Sequence, residues 1–383
     1  MKLLYAGIDT IQLAFKATLP SRFVDALRCA KKAAADQREA QPLELSEVDV
    51  GLLVHDYGAR GGFAFAANTG PAGAIWNFRD DDDSSDWNIY VKPTAVALLA
   101  HGYHGAVQNI LSVLKRLDVR IEDHSVSRVD YAFDIRTEDF VLDPRQFVAH
   151  ARAKRVPHWA PRHGGNNGAD LGAVLRGQEY QSFRIGAMPG RQLIIYDKTA
   201  ELSGATKTIL HEAWRLPPDT SARVWRVEVR AGKEALRHPW RIRHLPDLEA
   251  KLRDLLLSIL RTIRYVEKGA DSNVSRRPLD PIWRLVMEHA QIATLIVPVG
   301  KIEPGRVEDL DRAQKLKQHE NMIVGNAAGI AALMGLSDSA VQIRLPKMIS
   351  NMIERGTRRQ DGEVMKSVGR ARKRHPIQGN RSK

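Results

Sequence analysis

The sequence is poor in cysteine and has no long apolar run. Cys29 is its single cysteine, so disulfides within the chain and cysteine-rich zinc or iron–sulfur sites are excluded. No apolar stretch approaches the roughly 20 residues that a membrane-spanning helix needs. The acid Asp9 comes too early for a signal peptide. A Gly-Lys-Ser/Thr phosphate loop and a serine-hydrolase elbow are also missing. We therefore expect a cytoplasmic protein with no membrane partner.

What the chain does have is an excess of positive charge. Its 383 residues include 58 Lys and Arg against 45 Asp and Glu, for a net charge of +13. Such a surface attracts polyanions, and nucleic acid is the usual one. The apolar fraction of 43% is enough for a sizeable core and excludes a wholly disordered chain. The composition predicts a folded protein that binds nucleic acid.

Strand patterns dominate the first part of the chain and helical patterns the rest. Alternating, β-branched segments predict strands over residues 7–15, 127–136, 180–185, 191–196 and 222–230. A long amphipathic helix is predicted over 245–267. We predict an α+β fold in which an antiparallel sheet with flanking helices occupies residues 1–240. An all-helical extension follows over 241–354, and then a basic disordered tail over 355–383.

Three of the predicted strands carry charged groups among apolar ones, which is costly unless those groups are paired or used. In the segment 127–135, period-two alternation puts Arg128, Asp130 and Asp134 on one face. The segment 191–201 ends an apolar strand with Tyr196, Asp197 and Lys198. In the segment 224–230, the residues Arg226, Glu228 and Arg230 share a face. Taken singly, each segment is typical of a surface ion pair or a strand-end turn.

Together, the three segments offer the groups that a metal-assisted phosphodiester site requires. Carboxylates suit Mg²⁺ or Mn²⁺, which also bind phosphate oxygens and stabilise charge that develops on them. Arginine and lysine hold and neutralise a phosphate. A tyrosine hydroxyl has a pKa of about 10, so it needs a neighbouring cation or base to act as a nucleophile. Lys198 is a candidate for that neighbour of Tyr196.

These motifs, in this order, resemble the replication initiation factor family. The resemblance rests on Ser127-Arg128-Val129-Asp130, on Arg184-Ile185-Gly186 and Gly190-Arg191-Gln192 leading to Ile195-Tyr196-Asp197-Lys198, and on Trp225-Arg226-Val227-Glu228. That family contains rolling-circle plasmid initiators, replication proteins of some filamentous phages and a class of conjugative relaxases. It implies a divergent relative of the HUH endonuclease fold over about residues 5–240. It also implies a nick at an origin, a 5′-phosphotyrosyl link, a free 3′-OH and a divalent cation.

Carried over by position, the resemblance makes Tyr196 the nucleophile, with Lys198 beside it. Asp130 and Glu228 become the first candidates for metal ligands, and Asp134 or Glu201 is left to complete the site. Arg128, Arg191, Arg226 and Arg230 become candidates for holding DNA phosphates. Tyr131 and Tyr180 stay open as alternative nucleophiles.

The sequence also departs from the family in two ways. Many members carry a basic residue two positions before the tyrosine, where this chain has Ile194, and Arg191 is a candidate to compensate. No His-x-His pair occurs among the 13 histidines, so the standard HUH metal site is absent.

The C-terminal part adds a second candidate DNA-binding element. Residues 326–345 have the rhythm of a helix-turn-helix, with Gly335 at the turn and Ser337 as a cap. The basic tail is either a further phosphate-binding segment or a solubilising one. The leading hypothesis is a rolling-circle initiator that acts on a single-stranded or cruciform origin, with a host helicase and polymerase as candidate partners and a homodimer as a candidate assembly. A relaxase and a non-catalytic DNA-binding regulator stay as alternatives.

Overall fold

The computed structural model describes residues 1–45, 50–80, 87–149, 171–202, 204–217, 222–269, 271–292 and 298–359, with a few positions near the end of the chain. Most of the predicted basic tail therefore lies outside the described residues. Residues 355–359 of that predicted tail are described, and they belong to the last long helix.

The described segments form strands in the first two thirds of the chain and mainly helices after them. The strands are β1 (Lys2–Thr18), β2 (Gln41–Pro42), β3 (Leu53–Val54), β4 (Phe65–Asn68), β5 (Ala74–Phe78), β6 (Ile89–Pro93), β7 (Arg120–Arg136), β8 (Phe147–Ala149), β9 (Leu171–Arg176), β10 (Glu179–Gly186), β11 (Arg191–Asp197), β12 (Val224–Gly232) and β13 (Ile263–Tyr265). The helices are α1 (Ser21–Gln37), α2 (Ala95–Arg116), α3 (Lys198–Glu201), α4 (Gly204–Trp214), α5 (Lys233–Arg237), α6 (Leu245–Thr262), α7 (Pro281–Ile292), α8 (Pro304–Leu333) and α9 (Asp338–Arg359). Short 3₁₀ turns cover Pro144–Gln146 and Val274–Arg276.

Within the described residues, eleven strands form one antiparallel sheet in the order β2-β3-β4-β5-β6-β1-β7-β12-β11-β10-β9. The two longest strands, β1 and β7, pair along their whole length at the centre. Strands β8 and β13 form a separate small pair. An antiparallel sheet with flanking helices, followed by further helices, confirms the predicted fold class.

The main hydrophobic core lies on one face of this sheet. Period-two alternation turns the apolar residues of β7 to that face, where Val129, Phe133 and Ile135 are buried. Helices α1, α2, α6 and α7 contribute apolar side chains to the same core. The helix α6, which begins five residues after the predicted boundary at residue 240, thus shares its core with the sheet.

The other face of the sheet is covered mainly at one end. A smaller cluster joins Tyr5 and Ala132 of the sheet to Trp214 at the end of α4 and Val307 near the start of α8. Farther along this face the strands carry charged and partly exposed side chains, which are the subject of the next section.

The predicted helix-turn-helix at 326–345 falls on the end of α8 and the start of α9. Gly335 lies between them with a φ of 61°, in the left-handed region that glycine adopts readily. The oxygen of the Ser337 side chain accepts a bond from the Ala340 amide at 3.4 Å. The two helices are much longer than the predicted segment, and many of their apolar side chains are exposed. Over the described part of the chain, no helix is long and apolar enough to span a membrane.

Candidate active site

The charged residues predicted from three separate segments meet on one face of the central strands. Strand β12 lies between β7 and β11, and both pairings run in regular register. This register puts Asp134 opposite Arg226, Asp130 opposite Arg230, Arg226 opposite Tyr196, and Arg230 opposite Gln192. The apolar residues between them point to the main core. The sheet order therefore brings together residues that lie up to 100 positions apart.

Arg226 is the centre of a buried cluster at one end of this face. Its guanidinium donates to both carboxylate oxygens of Asp134, at 2.5 and 2.8 Å, and to Oδ1 of Asp9 at 2.6 Å. The indole of Trp214 donates to Asp134 Oδ2 at 2.9 Å. The side chains of Arg226 and Asp134 are 3% and 0% exposed. We call Asp9, Asp134, Trp214 and Arg226 the buried cluster.

The ionisation of this cluster is fixed by its ion pairs. Burial alone would lower the pKa of the Arg226 guanidinium, but Asp134 and Asp9 raise it well above its ordinary value. Burial alone would raise the pKa of Asp9, but Arg226 chiefly, with Lys198 and Arg230, holds it below its ordinary value. Asp9 and Arg226 are therefore both charged, and paired with each other, at neutral pH.

A second group of charged residues lies farther along the same face and is open to solvent. The guanidinium of Arg128 donates to both oxygens of Asp130, at 2.6 to 3.0 Å. Arg230 donates to Glu228 Oε1 at 2.7 Å and to Gln192 Oε1 at 3.1 Å, and its Nε lies 4.0 Å from Asp130. The Arg128 and Arg230 side chains are 26% and 25% exposed, whereas both acids are buried beneath them. We call Arg128, Asp130, Gln192, Tyr196, Glu228 and Arg230 the open cluster.

The acid Asp130 is held less firmly in its charged form than Asp9. Burial, helped by repulsion from Glu228, raises the pKa of Asp130 to about 6, although Arg128 and Arg230 act in the opposite direction. A carboxyl group with such a pKa is part protonated in mildly acidic solution and can exchange a proton near neutral pH.

Tyr196 is the member of the open cluster that lies next to the buried cluster, opposite Arg226. Its hydroxyl contacts a carboxylate. The hydroxyl donates to Glu228 Oε2 at 3.1 Å, and the side chain is buried. Burial and the negative charge of Glu228 raise the pKa of the phenol, although Arg226 acts to lower it. Glu228 is thus placed to accept the proton if the phenol oxygen attacks an electrophile.

Lys198 lies where the predicted Tyr-Asp-Lys motif turns out of the sheet. Asp197 ends β11 and caps the short helix α3, accepting from the amide of Ala200 at 3.1 Å. This cap directs Lys198 back over the sheet, so that its ammonium lies 5.4 Å from the ring centroid of Tyr196 and pairs with Glu201. A cation over the ring favours negative charge on the phenol oxygen.

The predicted metal ligands Asp130, Glu228 and Asp134 are not gathered into one coordination site. Both oxygens of Asp134 accept bonds from Arg226, and one also accepts from Trp214; both oxygens of Asp130 accept from Arg128. Among the described residues, no group of three or more His, Cys, Asp or Glu is arranged to hold a metal ion. These carboxylates are engaged by arginine and do not fit a three-ligand divalent cation site.

Two placements were not predicted from the sequence, although strand alternation and an acid within an apolar strand were signals for them. Arg191 begins β11 opposite Ala231 and shares its face with the core residues Leu193 and Ile195, so it does not join the charged face. Asp9, in contrast, reaches Arg226 from a β-bulge, where the register of β1 against β7 shifts between Ile8 and Thr10. The signal for Asp9 was an acid within the apolar strand 7–15, which is the criterion that singled out the other three strands.

The chain has a distant likeness to a solved structure and no match among known families. No family model matches the chain, and no curated protein matches it. A structural search finds a rolling circle replication initiator protein from Geobacillus stearothermophilus, with a TM-score of 0.40 and 15% sequence identity. The alignment covers 78% of this chain and 99% of the other.

Proposed function

We propose that this protein nicks one strand of DNA and rejoins it, with Tyr196 as the nucleophile, in the manner of a rolling-circle replication initiator. The observation that carries the proposal is the hydrogen bond from the Tyr196 hydroxyl to Glu228 on a sheet face that also presents Arg128 and Arg230. A nucleophile, a base and phosphate-binding cations are thus adjacent. The motifs that resemble replication initiation factors contain Arg128, Tyr196 and Glu228.

The chemistry follows from the position of Glu228. The phenol oxygen of Tyr196 attacks the phosphorus of a phosphodiester while its proton moves to Glu228 Oε2. A tyrosine O–P bond forms and the P–O3′ bond breaks. The leaving 3′ oxygen takes a proton from solvent water, which leaves a free 3′-OH and a 5′-phosphotyrosyl link. The reverse sequence rejoins the strand, because the phosphodiester energy is retained in the tyrosyl link.

The arginines of the open cluster are assigned to the phosphate. Arg128 and Arg230 each bind an acid through part of the guanidinium, and the Nη1 of Arg128 and the Nη2 of Arg230 make no hydrogen bond within the described residues. An arginine has five N–H donors, so both can pair with an acid and still bind a phosphate oxygen. Arg226 and Asp134 instead position the strands, because both side chains are enclosed and paired within the buried cluster. The arrangement as described uses no metal ion in any step.

The test is covalent capture of DNA. Single-stranded oligonucleotides tiled across the DNA next to the gene are incubated with the protein, with and without Mn²⁺, and resolved on a denaturing gel. We expect an adduct with the unmodified protein and none with Tyr196→Phe, which removes only the reacting oxygen. Tyr180→Phe is the matched control, since Tyr180 lies on the neighbouring strand β10, and it should still form the adduct.

Two results would contradict the assignment. An adduct that survives in Tyr196→Phe moves the nucleophile to another tyrosine. An adduct that forms only with Mn²⁺ shows that a cation takes part in the reaction.

If the nicked tile lies in a transfer origin rather than a replication origin, the protein is a relaxase with the same chemistry. A host polymerase and helicase are the partners that a free 3′-OH at a replication origin implies.

A second candidate function is a DNA-binding regulator that does not cleave. It is favoured by the burial of Tyr196 and by the pairing of the nearby carboxylates with arginine. It predicts salt-dependent DNA binding with no adduct on any tile, and equal binding by Tyr196→Phe and the unmodified protein.

A further inference from the structure

Arg184 is a charged residue of this sheet face that neither cluster engages. It lies on β10 directly opposite Ile194 of β11, so it is a diagonal neighbour of Tyr196, which is two residues farther along β11. Diagonal neighbours in an antiparallel pair are about 7–8 Å apart. Because side chains alternate along β10 and β11, Arg184, Ser182 and Tyr196 point to the same face.

Part of the Arg184 guanidinium is enclosed without a partner among the described residues. Its Nε is buried and makes no hydrogen bond there. A buried guanidinium N–H without an acceptor costs free energy, because the group has lost its water without a replacement bond. Every arginine of the two clusters, in contrast, donates to a carboxylate.

Gly172 is what makes room for this side chain. It lies opposite Arg184 on β9, and a Cβ added there would come within 3.0 to 3.2 Å of three guanidinium atoms. Gly172 does not adopt a left-handed conformation. Glycine is therefore needed here because a larger side chain would collide with the guanidinium, and not because of the backbone conformation. The guanidinium of Arg184 therefore packs against Gly172 of β9, on the side of β10 that faces away from β11.

We propose that Arg184 binds a phosphate of the DNA strand, next to the phosphate that reacts at Tyr196. A planar guanidinium with unused donors fits phosphate oxygens in pairs, and the open cluster on the same face supplies the adjoining contacts. Ser182, opposite Tyr196, offers a hydroxyl between the two positions. The inference rests on the proposed function for the identity of the anion, but the binding site itself does not require cleavage.

The experiment therefore measures binding in a protein that cannot react. In a Tyr196→Phe background, the affinity for a fluorescent single-stranded oligonucleotide is measured by anisotropy over a series of salt concentrations. Arg184→Ala should weaken binding about tenfold, as expected for loss of a charge-assisted contact. It should also reduce the slope of log affinity against log salt by about 0.7, as for one phosphate on a single strand.

Two further variants separate position from charge. Gly172→Ala keeps Arg184 but crowds its guanidinium, and it should weaken binding in the same direction. Arg253→Ala removes the same charge from an exposed position on α6, whose apolar residues pack in the core of the other face, and it should change neither affinity nor slope. A thermal melt of each variant confirms that it is folded. Arg184→Gln, which removes the charge but keeps a long polar side chain, replaces Arg184→Ala if that variant is unfolded.

The outcomes distinguish this site from the nicking proposal. If Arg184→Ala and Gly172→Ala bind DNA like their parent, the phosphate site is wrong even when the unmodified protein forms an adduct. If both variants weaken binding while no adduct forms, the phosphate site stands and the nicking proposal falls. A loss for Arg253→Ala as large as that for Arg184→Ala would show only a general effect of charge, which also overturns the site.

Discussion

The buried cluster and the open cluster both contain arginine–carboxylate pairs on the same face, yet they differ in which donors stay available to a ligand. In the buried cluster, Arg226 donates to Asp9 and Asp134 and is almost fully enclosed. In the open cluster, Arg128 and Arg230 cover buried acids but remain about a quarter exposed. Solvent access and unused donors, rather than the number of charges, therefore separate a group that holds the sheet together from one that can bind a ligand.

The largest expected difference between the clusters is in stability. Arg226→Ala leaves the Asp134 carboxylate buried without its cation, and loss of one partner of a buried ion pair costs about 3–5 kcal/mol. Arg230→Ala removes a part-exposed arginine whose partner Glu228 keeps its bond to Tyr196, so it should cost about 1 kcal/mol. Urea unfolding of both variants measures the two free energies. Equal losses would remove the distinction between the clusters.

The next difference is in the dependence of stability on pH. The pKa of Asp130 is raised from 3.8 to about 6 in the folded state, so the folded protein binds this proton more tightly than the unfolded chain. Its contribution is fully present below pH 3.8 and is lost as the pH rises through about 6. That loss is on the order of 3 kcal/mol. Asp130→Asn should therefore lack this decline when unfolding is followed from pH 4 to pH 7.

Asp9 should show the opposite sign. Its folded-state pKa is lowered, chiefly by Arg226 acting against burial, so its contribution is present above its ordinary pKa and is lost as the pH falls through the folded value. Asp9→Asn should cost stability at neutral pH and less in acid. The same pH series on this variant is the measurement, and parallel profiles for the two asparagine variants would contradict the assignment of the acids to different environments.

A smaller effect concerns the indole that completes the buried cluster. Trp214→Phe removes the hydrogen bond to Asp134, and a bond to a charged acceptor is worth about 2 kcal/mol. Trp225→Phe is the matched control, because Trp225 is also buried but its Nε1 has no hydrogen-bond partner among the described residues. The difference between the two unfolding free energies isolates the hydrogen bond. A difference near zero would mean that Asp134 is satisfied by Arg226 alone.

Local sequence patterns predicted the composition of the charged face well. Alternation in 127–135 separated Val129 and Phe133 from Asp130 and Asp134, and the structure has the first pair in the main core. The strands predicted over 180–185 and 191–196 are present as β10 and β11, which pair with each other. These features depend on period-two geometry within one segment, which a single sequence displays directly.

The same local patterns could not predict which distant segments pair as neighbouring strands. The order of β1, β7, β12 and β11 decides that Asp134 meets Arg226, and no local signal specifies which strands become neighbours. The predicted helix over 245–267 ends at Thr262, because the next three residues pair with β8 as β13. Tertiary pairing overrides local propensity there, as it often does for short β-branched segments.

The central place of β1 also bears on how the chain folds as it is synthesised. Lys2 pairs with Arg136, and Val224 on β12 pairs with that same Arg136 from the other side. One edge of β1 therefore stays uncovered until β6 has been synthesised, and its other edge until β7 has been. The second edge of β7 stays uncovered until β12 has been made. Such sequence-distant pairing slows folding and leaves strand edges exposed meanwhile. On the ribosome, more than half of the chain must emerge before the middle of the sheet can close.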